Sequence, residues 1–508
     1  MPRLPPAPAP SASEPSHVFS PAAVASMSQT QDDGQLGILT LNVWGLKYIS
    51  KQRIPRIKAI ATHFASPSTP QYDFVCLQEM WYESKDWRFL RHALSSRYPH
   101  SKFFYSGAFG SGLAILSRWS IHETKTHPYS LNGQPIHVQN GDWFVGKACG
   151  SITIDHPRLG LVDIWNTHFV AAGGEDGPEH RRAHRITQAY ELAAEARKSA
   201  SRQRHVIVVG DLNSTPPSLA MGLLKNVGGL YDSFLDSHPD LGEQTISLDA
   251  VQGGGTQGRR PDPERAIEDL GVTCDSPLNT WTAGKKLDER ATKAAGKRLD
   301  YILYRGPLQD SKGARKGLAF AASVSNRGRL SCKSSKVVMT DIVPGQQCSF
   351  SDHFGVESVF DIISHPSEDS TIASVDESAR KVVQHRVLTS SLHALAGAFA
   401  ASRSTQMSHF YVFGFALLLA VGLTVASIFQ PLGGVNPVFV LLAVVAGWGG
   451  TTMLYSAVVW GEWEKRTLRT FMELIELELN YLGPFSANSA NVNSTSANHT
   501  HVCEGTLF

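Results

Sequence analysis

Two uninterrupted apolar segments near the C-terminal end place the strongest constraint on how this chain can fold. Residues 410–429 (FYVFGFALLLAVGLTVASIF) and 438–460 contain no Asp, Glu, Lys, Arg or His. Each is long enough to cross the hydrocarbon core of a bilayer, about 30 Å, as a helix. The alternative is a pair of buried helices in a soluble core, but soluble helices of this length rarely lack charge. The short uncharged connector QPLGGVNP therefore predicts a transmembrane helical hairpin.

Basic residues flank this hairpin on both sides. Arg403 precedes the first apolar segment, and Lys465, Arg466 and Arg469 follow the second. The positive-inside tendency then places both flanks in the cytosol. We expect a two-pass membrane protein of the endoplasmic reticulum or mitochondria, with the large N-terminal domain and both termini cytosolic. Six cysteines without C-x-x-C spacing are consistent with reduced thiols.

The rest of the chain divides by composition. A net charge of +2 over 508 residues gives no global basic field, so no nucleic-acid partner is expected. The predicted parts are a disordered leader (1–35), a large domain (36–361), a linker (362–409), transmembrane helices (410–429 and 438–460), and a C-terminal cytosolic helix with a disordered tail (461–508).

The large domain alternates short apolar runs with polar turns, which favours strands over helices. Residues 181–200 read as an amphipathic helix, whereas 245–275 and 306–347 read as long loops. Several apolar runs end in a polar or acidic residue, and these residues are Asn42 (ILTLNVW), Glu79 (FVCLQEM), His168 (VDIWNTHF), and Asp211 with Asn213 (VIVVGDLN). Any one of them alone is more often a turn residue. Together they predict a site where buried strands emerge at one edge.

These residue types suit the hydrolysis of a phosphodiester. A Mg²⁺ ion needs only one or two carboxylates and keeps positions open for substrate oxygens. Glu79 is the first candidate ligand, with Asn42 and Asp352 expected nearby. The attacking water needs a base with a pKa near neutrality, which suits a histidine held by a carboxylate. His353 in FSDHFG and Asp300 in RLDYILYR are the candidate pair.

The stretch GDWFVGKA, residues 141–148, has the G-x-x-x-x-G-K spacing of a nucleotide-binding loop. Ala148 stands where a hydroxyl should reach Mg²⁺, and the bulky spacer from Asp142 to Val145 does not suit a loop wrapped closely round phosphates. The following residues read as a strand, although a nucleotide-binding loop opens a helix. A nucleotide site is therefore not expected.

Six motifs in order, LNVWGL, LQEMW, NTHF, VVGDLNSTP, RLDYIL and SDHFG, resemble the endonuclease/exonuclease/phosphatase superfamily of metal-dependent phosphoesterases. Within it, GDWFVGK and the C-terminal hairpin make the chain similar to the inositol phosphosphingolipid phospholipase C and neutral sphingomyelinase family. The resemblance covers residues 36–465. It implies an α/β fold, a sandwich of two mixed sheets flanked by helices, followed by the transmembrane hairpin.

The resemblance also implies roles for the matching residues. Glu79 binds the catalytic Mg²⁺ (Mn²⁺ as an alternative), Asn42 is a further metal or water contact, and Asp352 is a metal-side carboxylate. Asp211 positions the nucleophile, Asn213 the phosphate, and His168 hydrogen-bonds the phosphoryl oxygens in the transition state. His353 is the general base and Asp300 orients it. Asp142 and Lys147 match residues required in the family, where the lysine supplies a positive charge to the phosphate or headgroup.

The expected function is that of a membrane-anchored, Mg²⁺-dependent phospholipase C. It would cleave inositol phosphoceramides, sphingomyelin or both to ceramide and a phosphorylated headgroup. Anionic phospholipids are expected activators, because the basic run 311–336 holds seven Lys or Arg and no acid. A nuclease of the same superfamily is the alternative, and an inositol polyphosphate phosphatase ranks last because its aromatic and arginine motif is absent before Asp300.

Overall fold

A computed structural model describes residues 34–138, 141–171, 179–239, 261–308, 328–363 and 377–483. The predicted leader and C-terminal tail lie outside these residues, apart from residues 34–35 and 461–483. So do much of the predicted loop 245–275 and most of the basic run 311–336. The strands within the described residues are β1 (Gln35–Asn42), β2 (Phe74–Gln78), β3 (His100–Phe104), β4 (Leu113–Ser117), β5 (Glu123–Pro128), β6 (Ala148–His156), β7 (Gly160–His168), β8 (His205–Asp211), β9 (Tyr231–Asp232), β10 (Asp300–Arg305), β11 (Arg329–Val338) and β12 (Gly355–Ile363).

The strands form two six-stranded sheets, with the orders β11-β12-β1-β2-β4-β3 and β5-β6-β7-β8-β10-β9. Each sheet is mixed, because β1 with β2 and β7 with β8 run parallel while the other neighbours run antiparallel. The sheets face each other across an apolar core that includes Ile38, Phe74, Ile164 and Ile207, all fully buried. Strand β2 is buried along its whole length, which explains its continuous apolar sequence.

The described residues also form α-helices. They are α1 (Arg53–Ala65), α2 (Arg88–Ala93), α3 (Asp142–Val145), α4 (Ala183–Ser201), α5 (Leu219–Gly222), α6 (Ser233–Ser237), α7 (Pro263–Leu270), α8 (Glu289–Lys293), α9 (Glu377–Phe429), α10 (Asn436–Tyr455) and α11 (Gly461–Leu482). Of these helices, α1 and α4 cover the outer faces of the two sheets. Helix α1 packs Ile57, Ile60 and Phe64 into a core on the first sheet. Helix α4 packs on the second sheet and confirms the helix predicted over 181–200.

The C-terminal helices are partly packed on the sandwich domain and partly exposed. The first part of α9 and most of α11 pack on the α4 layer, where Leu388, Leu395, Leu468 and Ile475 are buried. The apolar part of α9 packs along α10, where Gly450 lies against Ala416, and side chains such as Leu418 (74% exposed) and Trp448 (76% exposed) project outward. The two long apolar helices are therefore candidate membrane spans by length and composition.

The predicted two-sheet sandwich with flanking helices is confirmed. The loop predicted over 306–347 is wrong for Arg329–Val338, which forms β11 at the edge of the first sheet. Its exposed, basic face lacks the apolar alternation that would have indicated a strand. Within the predicted loop 245–275, residues Pro263–Leu270 form helix α7. Residues 377–409 of the predicted linker are helical and continuous with the first apolar segment.

Candidate active site

Strand pairing brings the predicted site residues to one edge of the sandwich. Because β1 and β2 are parallel, Asn42 and Gln78 lie side by side where these strands end. The same holds for His168 and Asp211 at the ends of β7 and β8. Strand β10 runs antiparallel to β8, so its first residue, Asp300, lies opposite Asp211.

Asn42 links the two sheets at this edge. Its side-chain amide donates to Glu79 Oε1 at 3.2 Å and to Asp211 Oδ2 at 3.0 Å. Glu79 has φ 57°, a left-handed conformation that is uncommon outside glycine and often marks functional sites. Gly45 makes this possible, since a Cβ at that position would lie 2.3 Å from the Glu79 carbonyl oxygen. The turn after β2 is therefore built to hold the Glu79 carboxylate in place.

Asn213 lies in the turn that follows β8. Its backbone N–H donates to Asp211 Oδ1 at 2.9 Å, and its side-chain amide donates to the Phe169 carbonyl at 3.0 Å. Asn213 also has a left-handed backbone, with φ 44°. These bonds fix the amide beside the Asp211 carboxylate.

His353 and Asp300 form a buried hydrogen-bonded pair. His353 Nδ1 lies 2.8 Å from Asp300 Oδ2, and His353 Nε2 lies 3.8 Å from Asp211 Oδ2. A carboxylate accepts from Nδ1–H, which leaves Nε2 available to take a proton. This is the geometry expected of a general base and the group that orients it.

Asp142 and Lys147 approach the same edge from the loop around α3. Lys147 is buried, and its Nζ lies 3.5 Å from Asp142 Oδ1 and 2.9 Å from His168 Nε2. Since an ammonium group only donates, His168 Nε2 is the acceptor in this contact. For Nε2 to donate to a phosphoryl oxygen it must carry a proton, and Lys147 must then leave this position because two donors cannot share the contact. Strand β6 begins at Ala148, which confirms the predicted strand after this loop.

Asp352 lies close to His353 and to a buried arginine, Arg56, that sequence reasoning missed. Arg56, on α1, is fully buried and donates to the carbonyls of Val43, Trp44 and Phe350. It thereby ties the LNVWG turn to the segment that carries Asp352. Burial, partly offset by the Asp352 charge and others, lowers the pKa of Arg56 to about 10. In the sequence Arg56 resembles any basic residue of an amphipathic helix.

The site opens into a cavity of about 300 Å³. Six predicted residues line it: Glu79, His168, Asp211, Asn213, Asp352 and His353. The other four, Asn42, Asp142, Lys147 and Asp300, lie within hydrogen-bond or ion-pair distance of lining residues or of each other. A larger groove of about 840 Å³ between α1 and β11 contains none of the ten. The structure thus brings all ten together at one edge.

Closely spaced buried carboxylates dominate the electrostatics of the cavity. Burial raises the pKa of Glu79 to about 7, and the charge of Asp352 adds to the shift. Burial likewise raises the pKa of Asp211 to about 6, against the opposing charge of His353. Burial also raises the pKa of Asp352. A divalent cation would relieve this cost, and Glu79 Oε2 is buried with no hydrogen-bond partner among the described residues, so the donor set fits a metal ion.

The two histidines differ in charge preference. Burial lowers the pKa of His168 well below its usual value, and the Lys147 charge lowers it further. Burial also opposes protonation of His353, but Cys274, Asp300 and Asp211 together raise its pKa well above the usual value. His168 is therefore neutral. The neighbouring Asp300 and Asp211 instead favour the protonated form of His353, so Nε2 must lose its proton before it can act as a base.

A second arrangement of groups at this edge can also hold a metal ion. Asp211, Asp300 and His353 place one ligand atom each within 4.8 Å of one another. However, Asp300 and His353 already bond each other, and a metal at His353 Nδ1 would break that bond. Glu79 Oε2 and Asp300 Oδ1 are both buried carboxylate oxygens without a hydrogen-bond partner among the described residues. A metal ion at Glu79 would leave the His353–Asp300 hydrogen bond intact, so this bond favours the Glu79 side over a site that includes His353 Nδ1.

Among the other lining residues, four carry a charge or a hydroxyl and were not singled out from the sequence: Asp275, Thr282, Lys285 and Lys297. They come from the segment 271–299, in which Lys297 belongs to the basic run before Asp300. That basic run was the only sequence signal for these residues. The rest of the segment has little regular secondary structure, so no helix or strand pattern places the residues at the site.

The chain is similar in sequence to several phospholipases C and sphingomyelin phosphodiesterases. An inositol phosphosphingolipids phospholipase C of Schizosaccharomyces pombe is 32% identical over 335 residues, covering 65% of this chain and 70% of that protein. The Saccharomyces cerevisiae protein of the same name is 33% identical over 370 residues, covering 69% of each chain. Human sphingomyelin phosphodiesterase 2 is 36% identical over 210 residues, covering 41% of this chain and 48% of that protein.

Fold, site and relatives together define a phosphodiester hydrolase. The model of the Endonuclease/Exonuclease/phosphatase family matches residues 39–353, which include nearly the whole sandwich and all ten predicted site residues. The chain belongs to this family, and its relatives are phospholipases C and sphingomyelinases that act on sphingolipids.

Proposed function

We propose that this protein is a membrane-anchored, divalent-metal-dependent phospholipase C that hydrolyses sphingolipid phosphodiesters to ceramide and a phosphorylated headgroup. The observation that carries the proposal is the His353–Asp300 pair, with a 2.8 Å hydrogen bond, beside the buried carboxylates Glu79 and Asp211 in one cavity. The names of the relatives supply the substrate class.

In this proposal His353 Nε2 takes a proton from the attacking water while Asp300 holds the ring through Nδ1. Asp211, 3.8 Å from Nε2, positions that water. The water oxygen bonds to phosphorus as the bond from phosphorus to the ceramide oxygen breaks, and the ceramide oxygen ends with the proton. The net reaction consumes one water and needs no other reactant.

Glu79, with Asn42 and Asp352, would hold Mg²⁺ or Mn²⁺, which when bound neutralises phosphoryl oxygens. Asn213 and His168 would contact the phosphate. Lys147 would add a point charge to it, because an ammonium group buried at the cavity wall is little screened by water. Asp142, 3.5 Å from Lys147, would hold the lysine in place.

Membrane anchoring through α9 and α10 is the second part of the proposal. The exposed apolar surface of these helices has no polar cover among the described residues, and a bilayer would provide an apolar environment. An anchored enzyme meets a substrate confined to the same membrane at high effective concentration. We place the sandwich and both termini in the cytosol, on endoplasmic reticulum or mitochondrial membranes, and expect anionic phospholipids to increase activity.

The test is incubation of detergent-solubilised full-length protein with inositol phosphoceramide and with sphingomyelin, with Mg²⁺ and with EDTA, followed by quantification of ceramide. We expect Mg²⁺-dependent ceramide release from at least one lipid. Cleavage of plain or abasic DNA at a comparable rate, without ceramide release, would support the nuclease alternative and overturn the proposal.

A further inference from the structure

A cluster of two lysines and one aspartate lines the mouth of the cavity. Asp275 is 3% exposed, and its Oδ1 lies 3.0 Å from Lys285 Nζ while its Oδ2 lies 3.4 Å from Lys297 Nζ. Lys297 also pairs with Asp288 at 2.5 Å. We call Asp275, Lys285 and Lys297 the Lys–Asp–Lys cluster. All three line the same cavity as His353.

The backbone fixes this cluster relative to the proposed base. Cys274 forms isolated β-bridges with both Lys297 and His353. The adjoining Thr273 carbonyl accepts from the Phe354 N–H at 2.8 Å, directly after the base. Asp275 itself has φ 55°, a left-handed conformation that turns the chain at this point. The Asp275 carboxylate is therefore held at a set distance from the reacting groups and does not depend on a mobile loop.

The cluster offers both kinds of hydrogen-bonding group to a ligand. Lys285 is 59% exposed along its side chain, so its ammonium group keeps donors free for a molecule in the cavity. Asp275 offers carboxylate oxygens with further acceptor capacity, and Thr282 adds a hydroxyl to the same wall. Neighbouring hydroxyls of a polyol can accept from the lysine and donate to the carboxylate at the same time.

A quaternary ammonium headgroup makes neither of these bonds. Proteins recognise such groups with aromatic faces. Among the described residues that line this cavity there is no Phe, Tyr or Trp. The carboxylate that might attract a cation, Asp275, already faces two lysines. Phosphocholine entering this wall would displace water from the cluster without replacing its hydrogen bonds.

We propose that the Lys–Asp–Lys cluster is a headgroup subsite that selects a polyol phosphate over phosphocholine, with Lys285 as its specificity-determining residue. This inference rests on the proposed function, because it concerns the headgroup of the same substrate. A site built to hydrogen-bond substrate hydroxyls discriminates strongly against an analogue that lacks them.

The test compares kcat/KM for inositol phosphoceramide and sphingomyelin, in the same mixed micelles with Mg²⁺, for wild type, Lys285→Gln and Lys293→Gln. Lys293 is the matched control, because it is a half-exposed lysine on α8 that pairs with Glu289 and does not line the cavity. We expect wild type to favour inositol phosphoceramide by at least about tenfold. Lys285→Gln should lose about tenfold on that lipid and change within about twofold on sphingomyelin. Lys293→Gln should change neither.

Product inhibition gives a second readout that does not depend on how the lipid is presented. Inositol phosphate should inhibit wild type more strongly than phosphocholine, and Lys285→Gln should remove most of that difference. Equal losses on both lipids, or an unchanged ratio of the two in Lys285→Gln, would overturn the subsite. A wild-type protein that releases ceramide from neither lipid would instead remove the proposed function and this inference with it.

Discussion

The edge of the sandwich buries charged side chains, whereas the C-terminal apolar helices expose large apolar ones. At the edge, charged groups such as Asp211, Asp300 and Lys147 are at least 97% buried. Along α9 and α10, large apolar groups such as Leu418 and Trp448 are about three-quarters exposed. Each placement is costly in water, since buried charge requires partners and exposed apolar surface requires an apolar environment. Each region therefore indicates something that the protein must bind.

The two regions differ in how many of their side chains find suitable partners within the chain. At the edge, hydrogen bonds pair most groups and leave specific atoms, such as Glu79 Oε2, without a partner. Along the apolar helices the unsatisfied surface is continuous. The first region is therefore suited to a small ion and a phosphate, whereas the second is suited to an extended apolar phase.

The two regions are connected through α11. Glu464 on this helix accepts hydrogen bonds from Ser402 on α9 at 2.6 Å and from Gln134 at 2.8 Å. Its Oε1 also lies 2.9 Å from His184 Nε2. His184 Nδ1 accepts from the Gly133 N–H, so Nε2 carries the proton and donates to Glu464. Gly133 packs against Asp142 so closely that a Cβ there would lie 2.8 Å from the Asp142 Cβ, which links α11 to the loop that carries Lys147.

The largest expected effect concerns the apolar helices. Combined substitution of Leu418, Val421, Val445 and Trp448 by Arg should move the protein from the membrane pellet to the supernatant. Each Arg at the centre of a spanning helix costs about 2.5–3.5 kcal/mol, so four cost about 10–14 kcal/mol. Alkaline extraction of membranes measures the distribution. Alanine at the same four positions is the control and should stay in the pellet, and a membrane-bound Arg variant would contradict the assignment.

At the edge, His353→Ala should lower kcat by about 10³-fold or more, because general base catalysis typically contributes 10²–10⁴-fold. Ceramide release under saturating Mg²⁺ measures it, with circular dichroism to establish that the variant folds. His92→Ala is the control, since His92 is exposed on α2 away from the cavity. Full turnover by His353→Ala would exclude the residue as the base.

Glu79→Gln should lower kcat/KM by about 10²-fold and raise the Mg²⁺ concentration for half-maximal activity. The reason is that an amide offers a metal ion a weaker ligand than a carboxylate. A titration of activity against Mg²⁺ gives both values. Glu83→Gln, five residues from β2 and outside the cavity, serves as the control. An unchanged titration would remove Glu79 from the metal site.

The smallest expected effect is at the connection between the regions. Glu464→Gln should lower the free energy of unfolding by about 1–3 kcal/mol at pH 7, because a buried set of hydrogen bonds loses its charged acceptor. Urea unfolding in detergent measures this change. Glu473→Gln, on the exposed face of the same helix, should have little effect.

The same variant gives a prediction for pH. Burial alone would raise the pKa of Glu464, but hydrogen bonds from His184, Ser402 and Gln134 lower it from 4.5 to about 2. A lowered carboxyl pKa stabilises the folded state fully above the unfolded value and loses this effect as pH falls toward the folded value. The stability difference between wild type and Glu464→Gln should therefore be constant above about pH 5 and shrink below it. A difference that grows on acidification would contradict the assignment.

Much of the fold and of the candidate site could be predicted from the sequence alone. Asn42, Glu79, His168 and Asp211 follow strongly apolar strands, so their common edge follows from the strand pattern. Strand β11 was missed because it is an exposed edge strand with little apolar alternation. Lys285 and Asp275 were missed because they lie in segments without regular secondary structure, whose path a sequence pattern does not predict. Arg56 was missed because its role depends on carbonyls from two segments that are far apart in the sequence, one with Val43 and Trp44 and the other with Phe350.

The most direct test of the central claim is to locate the metal ion. Crystals of the protein soaked in Mn²⁺ should give an anomalous density peak about 2.0–2.2 Å from a Glu79 carboxylate oxygen, a normal distance for a hard divalent cation bound to oxygen. The His353–Asp300 hydrogen bond should remain intact. A peak bonded to Asp300 and His353, with none at Glu79, would contradict the account.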